Sequence, residues 1–172
     1  LIEAKIAIYS PHTAFDSAAD GINQRLARGL GLRGVLPLVI DPEGLGSGRI
    51  GWLEEPLGLA RMADRVKRFL SVGQLQIVGD GERPIRTMAV ACGAAGEFLD
   101  AARQAHCDAM LIGETRYHTC LDAEAAGIGL ILPGHHASER FAVECLADLL
   151  GKEFPTLQVW ASRDERDPLV WV

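Results

Sequence analysis

Thr87-Met88-Ala89-Val90-Ala91-Cys92-Gly93-Ala94-Ala95-Gly96 reads as a short apolar strand that runs into a tight turn of small residues and then opens a helix over 96–105. Strand, small-residue turn and helix together form the building unit of an α/β sheet. The unit recurs downstream. An apolar run over 109–112 is followed by a helical stretch over 117–126, and a second run over 128–132 by a long helix over 138–150. A further apolar stretch over 157–161 predicts a closing strand. The alternation predicts an α/β layer: a largely parallel sheet with room for an antiparallel edge, and helices on its faces.

Upstream of the deciding stretch, Leu75 to Val78 reads as a strand. Leu59, Met62, Ala63, Val66, Phe69 and Leu70 fall at helical spacing and predict a helix over 56–70. Residues 41–51 are dense in Gly and Pro and read as a linker or long loop. Before that boundary come an apolar strand over 35–40, a helix over 16–30 stopped by Gly29 and Gly31, and a short buried strand built on Ile6 and Ile8 that ends at Ser10-Pro11. The first residue is Leu1 in the approach to that strand, which reads as a truncated or processed sequence. There is no internal repeat, low-complexity tract or heptad.

Composition excludes several classes. With 172 residues, 48% apolar and 23% charged, the chain has material for one or two compact lobes. A net charge of -6 argues against a nucleic-acid binder, which needs a basic face. No apolar run approaches the roughly 20 residues that cross a bilayer, and the first residues lack the plan of a signal peptide, so a cytoplasmic setting is expected. Cys92, Cys107, Cys120 and Cys145 show no C-x-x-C pairing, so they read as reduced, mostly core-filling thiols.

Chemistry concentrates in three pairs, each with an acid and an imidazole four residues apart: His12 with Asp16, Glu114 with His118, and His135 with Glu139. On a helix that spacing stacks the two groups on one face, where nitrogen and oxygen donors suit zinc, iron or manganese. A single such pair reads more readily as a surface ion pair or a helix cap. Together they point to a site, because each lies just after a predicted strand, where an α/β sheet collects its ligands. The turn over 92–96 follows a strand too, and reads as a tight connection more readily than as a phosphate cradle.

The wording around these pairs resembles one family. Tyr9-Ser10-Pro11-His12-Thr13-Ala14-Phe15-Asp16 and Gly134-His135-His136-Ala137-Ser138-Glu139 look like two of its signatures, joined in order by Cys92-Gly93-Ala94-Ala95-Gly96, Gly113-Glu114-Thr115-Arg116-Tyr117-His118 and Asp167-Pro168. The family is the NGG-one-interacting-factor-three-like family, known as GTP cyclohydrolase type-2 homologues. The resemblance covers the C-terminal two-thirds of a family protein, in the form without the PII-like insert. It implies a two-lobed fold in which residues 1–47 are a remnant of the first lobe, 48–172 form the second, and a metal site lies between them. It implies two divalent ions per complete subunit, with Asp16 and His135 at ligand positions, Glu139 bridging, and His12 beside the metal as a ligand or a proton donor. The preceding half of family members adds a pair of adjacent histidines.

The resemblance places Glu114 and His118 in the pocket wall, as an acid/base pair for hydrolysis or as partners of the ligating histidine. It also implies a ring-like homohexamer and a nucleotide-like substrate. His136 stands where the family has an aromatic residue and reads as a packing or rim residue; His106 reads as a surface one. The alternative to a metal-dependent hydrolase is a non-catalytic metal-binding or protein-interaction module.

Overall fold

In the computed structural model, which describes residues 1–40 and 46–170, the stretch that opened the sequence reading is the spine of the molecule. Strand β4 (Pro84–Ala91) pairs in parallel with β5 (Ala109–Ile112), and β5 in parallel with β6 (Gly129–Leu132). Antiparallel strands extend both sides. β1 (Arg33–Leu36) and β2 (Arg49–Gly58) continue the sheet from β4, and β3 (Gln76–Val78) lies against β6, giving the order β1-β2-β4-β5-β6-β3. The expected α/β fold is the observed one, parallel at its centre and antiparallel at its edges.

The period of two along a strand sorts the core into two layers. Met88, Val90, Leu111 and Ile131 face one way and pack with Leu26 and Leu30 around α2 (Ile22–Gly29) and with Leu59, Met62 and Val66 of α3 (Leu59–Leu70). Ala89, Ala91, Met110, Ile112 and Leu130 face the other, against Leu99 and Ala102 of α4 (Leu99–Gln104) and Ala123 of α5 (Tyr117–Ala126). Burial of both faces explains why β5, β6 and the second half of β4 are continuously apolar rather than alternating. Two helices close the chain, α6 (His135–Arg140) and α7 (Ala142–Glu153), and no described helix is long and apolar enough to cross a membrane.

Several expectations shift. The helix foreseen over 16–30 is two, α1 (Thr13–Ser17) and α2. The Arg49 guanidinium takes the Ser17 and Ala18 carbonyls, the first of which a continuous helix would give to the Gly21 N–H. Gly21 N–H turns to Ala18 instead, and a Cβ at Gly21 would lie 1.9 Å from the Phe15 carbonyl oxygen. The helix expected from residue 56 starts at Leu59, because β2 runs on to Gly58 through a register shift between Trp52 and Leu57 that accommodates Pro56.

The strand expected over 35–40 begins earlier, at Arg33, and ends at Leu36. Of the linker foreseen over 41–51, residues 41–45 lie outside the described residues, and β2 begins at Arg49. The strands expected at Ile6 and Ile8 and over 157–161 are irregular. A strand needs an edge to pair with, and no described ladder includes either segment. Ile8 is 73% exposed and Trp160 75% exposed as a result.

Candidate metal centre

Each of the three acid and histidine pairs has a member beyond a strand end or on a short helix at the same end of the sheet. His12 precedes α1 and Asp16 lies on it; Cys92 and Gly93 follow β4, Glu114 follows β5, and His135 and Glu139 occupy one face of α6 after β6. His12, Asp16, His135 and Glu139, from opposite ends of the chain, line one cavity of about 250 Å3. His12 holds φ at +40°, a left-handed conformation that side chains other than glycine adopt at a cost of roughly 1–3 kcal/mol and that clusters at functional sites.

The imidazole of His135 is gripped on both sides. Its Nδ1 lies 2.9 Å from Glu114 Oε1 and its Nε2 lies 3.2 Å from Glu139 Oε1. A carboxylate behind a histidine fixes the tautomer and turns the other nitrogen outward, which is how metal-ligating histidines are oriented. Gly93 makes the arrangement sterically feasible. Its φ is +66°, and a Cβ there would stand 2.5 Å from Glu139 Oε1 and 3.3 Å from His135 Nε2, inside the space between the two donors.

The charges of the cavity oppose one another. Burial raises the Glu139 carboxyl above its usual range; His135 beside it works the other way and the Asp16 carboxylate adds to the rise. Burial, with Asp16 and Glu139 nearby, pushes the Cys92 thiol far up, so it stays protonated. His135 is raised, mainly by its hydrogen bond to Glu114. Two carboxylates and two imidazoles around a void are a donor set that suits a divalent ion, and the residues fit one in chemistry. They do not close around it as a finished cage: among the described residues no three of His, Cys, Asp and Glu gather tightly enough to hold an ion.

A pH experiment follows from these signs. His135 is raised above 6.5, so its contribution to stability is full below that value and fades as pH rises through the folded value. Glu139 is raised above 4.5, so it also favours the folded chain when protonated and loses that contribution as pH climbs from 4.5 through its folded value. The metal-free chain should therefore melt lower at pH 8 than at pH 6. Metal affinity should run the other way, since an ion needs both groups deprotonated. Thermal melts in chelator and in zinc at both pH values check the opposed slopes; parallel slopes would sink the idea.

His118 is not drawn into the cavity. It is exposed on α5, edge-on to Tyr117 with ring centroids 6.4 Å apart. Glu114 borders a neighbouring open groove of about 640 Å3 with Thr115, Arg116 and Thr119, and Glu97 lines both spaces. His136 lines a third space with Phe15, Val143 and Leu146, bordered also by Glu139, Arg140 and Glu165, and among the described residues its buried Nε2 has no hydrogen-bond partner. His106 is exposed, as expected. Sequence reasoning missed Asn23 and Arg49, buried polar residues at 3% exposure each. Both sit in stretches that read as ordinary helix and loop.

Residues 1–168 match the family described as Duf34/NIF3 (NGG1p interacting factor 3). A Clostridium acetobutylicum protein named GTP cyclohydrolase 1 type 2 homolog is 32% identical over 142 residues, covering 81% of this chain and 53% of that protein. A Pseudomonas aeruginosa protein of the same name is 36% identical over 159 residues, covering 90% of this chain and 60% of that protein. The chain thus spans between half and two-thirds of the length of these relatives. The crystal structure of a Bacillus cereus protein related to NIF3 superposes with a TM-score of 0.89 at 20% identity, over 99% of this chain and 75% of that one, a likeness of fold.

Proposed function

This chain belongs to the Duf34/NIF3 (NGG1p interacting factor 3) family, and from that footing we propose that it is a divalent-metal-binding protein whose centre serves hydrolysis of a nucleotide-like substrate. The observation that carries the reading is the convergence of His12, Asp16, His135 and Glu139 on one cavity at the strand ends. These four would hold the metal, which is zinc, iron or manganese by donor chemistry, with two ions in a complete subunit. A bound ion would supply Lewis acidity and bring the pKa of a water toward neutrality.

The chain's own residues do the rest. Glu114 keeps the His135 imidazole oriented and, half-exposed beside the open groove, is the group placed to take or return a proton. His118 lies outside the cavity lining and takes no part in this reading. The nucleotide-like substrate rests on the relatives' name, GTP cyclohydrolase 1 type 2 homolog. A screen of nucleoside triphosphates for ring opening or phosphate release by zinc-, iron- and manganese-loaded protein tests it; inactivity with all three metals at full occupancy would retire the hydrolase. Glu114→Gln should weaken zinc by about 10- to 100-fold and bring the His135 pKa down. A zinc titration beside an NMR pH titration of the imidazole checks both effects.

The second reading, a non-catalytic interaction module, is favoured by apolar exposure. Ile2, Tyr9, Trp160 and Val170 are each at least 75% exposed, and a partner that covered them would bury apolar surface now in water. Self-association as a homohexamer belongs to this proposal, and sedimentation equilibrium tests it: a monomer mass throughout would remove it. The four cysteines are free thiols, in keeping with the proposed cytoplasmic setting.

A further inference from the structure

Asn23, in the first turn of α2, is a polar side chain at 3% exposure. Its Oδ1 accepts the Cys92 backbone N–H at 2.7 Å. A backbone N–H can only donate, so this bond fixes which end of the carboxamide meets β4 and leaves the NH2 on the far side. Among the described residues that NH2 has no hydrogen-bond partner. With Oδ1 committed to Cys92, the NH2 is the end of the carboxamide left free among the described residues. The space that Asn23 borders is the cavity of Asp16, Cys92, His135 and Glu139.

We propose that Asn23 is the ligand-orienting donor of this cavity: its NH2 donates to a carbonyl or oxyanion oxygen of a small molecule that shares the cavity with the metal. The inference rests on the metal-centre reading and deepens it. The carboxylates of Asp16, Glu97 and Glu139 around the same void are acceptors and turn such oxygens away. A carboxamide NH2 carries two donors and no charge, does not titrate, and does not compete with the ligands for the ion. It selects an oxygen acceptor over an amine. At about 250 Å3 the void admits one small oxygen-bearing group, with the rest of a larger molecule left outside.

The test uses the 172-residue chain with acetate as the probe, with and without zinc. The Asn23 side-chain NH2 is followed by 15N NMR and acetate affinity by calorimetry. A saturable shift of the Asn23 NH2 is expected in the zinc-loaded chain. Asn23→Asp keeps the acceptor for the Cys92 N–H and loses the donors, and should weaken acetate by about tenfold or more. Asn23→Ala, which adds no charge, should do the same and so separates donor loss from repulsion. If Asn23→Ala does not fold, the wild-type NMR shift and the Asn23→Asp variant decide.

Zinc bound but no shift at Asn23, or unchanged acetate affinity in both variants, overturns this inference and leaves the metal centre standing. No zinc bound but a saturable Asn23 shift removes the metal centre and overturns the inference of a ligand shared with it, leaving Asn23 a donor in a metal-free cavity. Neither zinc nor a shift removes both.

Discussion

Glu139→Ala is expected to empty the centre. Elemental analysis of protein purified without chelators should fall from metal in whole-number ratio to the chain, up to two ions, to background. Zinc affinity should drop by more than about 100-fold, beyond the 10- to 100-fold that removal of an outer hydrogen-bond partner brings. The alternative is that His135 and Glu139, 3.2 Å apart at i and i+4, are only a surface ion pair on a short helix. Such a pair contributes a few tenths of a kcal/mol and its loss would go unnoticed. The environment of Glu139 favours the first view. Burial and the neighbouring Asp16 carboxylate hold its carboxyl above the usual range despite His135 and His12, so without metal it is a group the fold tolerates rather than uses. Metal-free Glu139→Ala should consequently melt no lower than the metal-free wild type. A variant that kept its metal would falsify the ligand assignment.

The sequence was most legible where one local rule governs. β5, β6 and the half of β4 over 88–91 are continuously apolar because both faces are buried there, and α5 was readable to the residue over 117–126. Spacing also placed His135 and Glu139 beyond the end of β6, where a parallel sheet collects its ligands, whereas His12 and Asp16 reach the same cavity with no strand before them. Legibility failed where a distant residue decides. Ile6 and Ile8 alternate like a strand, but alternation does not supply an edge to pair with. His118 stands four residues from Glu114, but α5 begins at Tyr117, so Glu114 lies outside the helix and the two share no helix face. Asn23 looked like one more helix residue, and its partner is the Cys92 amide across 69 positions. The split of the first helix depends on a guanidinium some thirty residues downstream.

That guanidinium carries a large expected stability effect for a polar side chain. Arg49, 3% exposed, makes five hydrogen bonds: Nε to Gln24 Oε1 at 2.9 Å, Nη1 to the Gly46 and Gly48 carbonyls at 3.2 and 2.6 Å, and Nη2 to the Ser17 and Ala18 carbonyls at 2.6 and 3.1 Å. None of these bonds goes to a carboxylate, so the charge is stabilised by carbonyl and amide dipoles, and burial lowers its pKa. Arg49→Met keeps length and bulk but orphans acceptors worth about 1–3 kcal/mol each when left unpaired. Their losses are not additive where water can enter, so a destabilisation of roughly 3–5 kcal/mol is expected, read as a shift in the midpoint of urea unfolding.

The same change should reach the metal. Ser17 and Ala18 follow Asp16 directly, and Arg49 ties their carbonyls to the start of β2. Freed of it, Asp16 loses its fixed place while His135 and Glu139, on α6, keep theirs. Zinc affinity should therefore fall in Arg49→Met at temperatures where the variant is still folded, and by less than in Glu139→Ala. Full zinc affinity in a destabilised but folded Arg49→Met would show that α1 is held by other contacts, and that Asp16 owes its position to the sheet end rather than to the arginine.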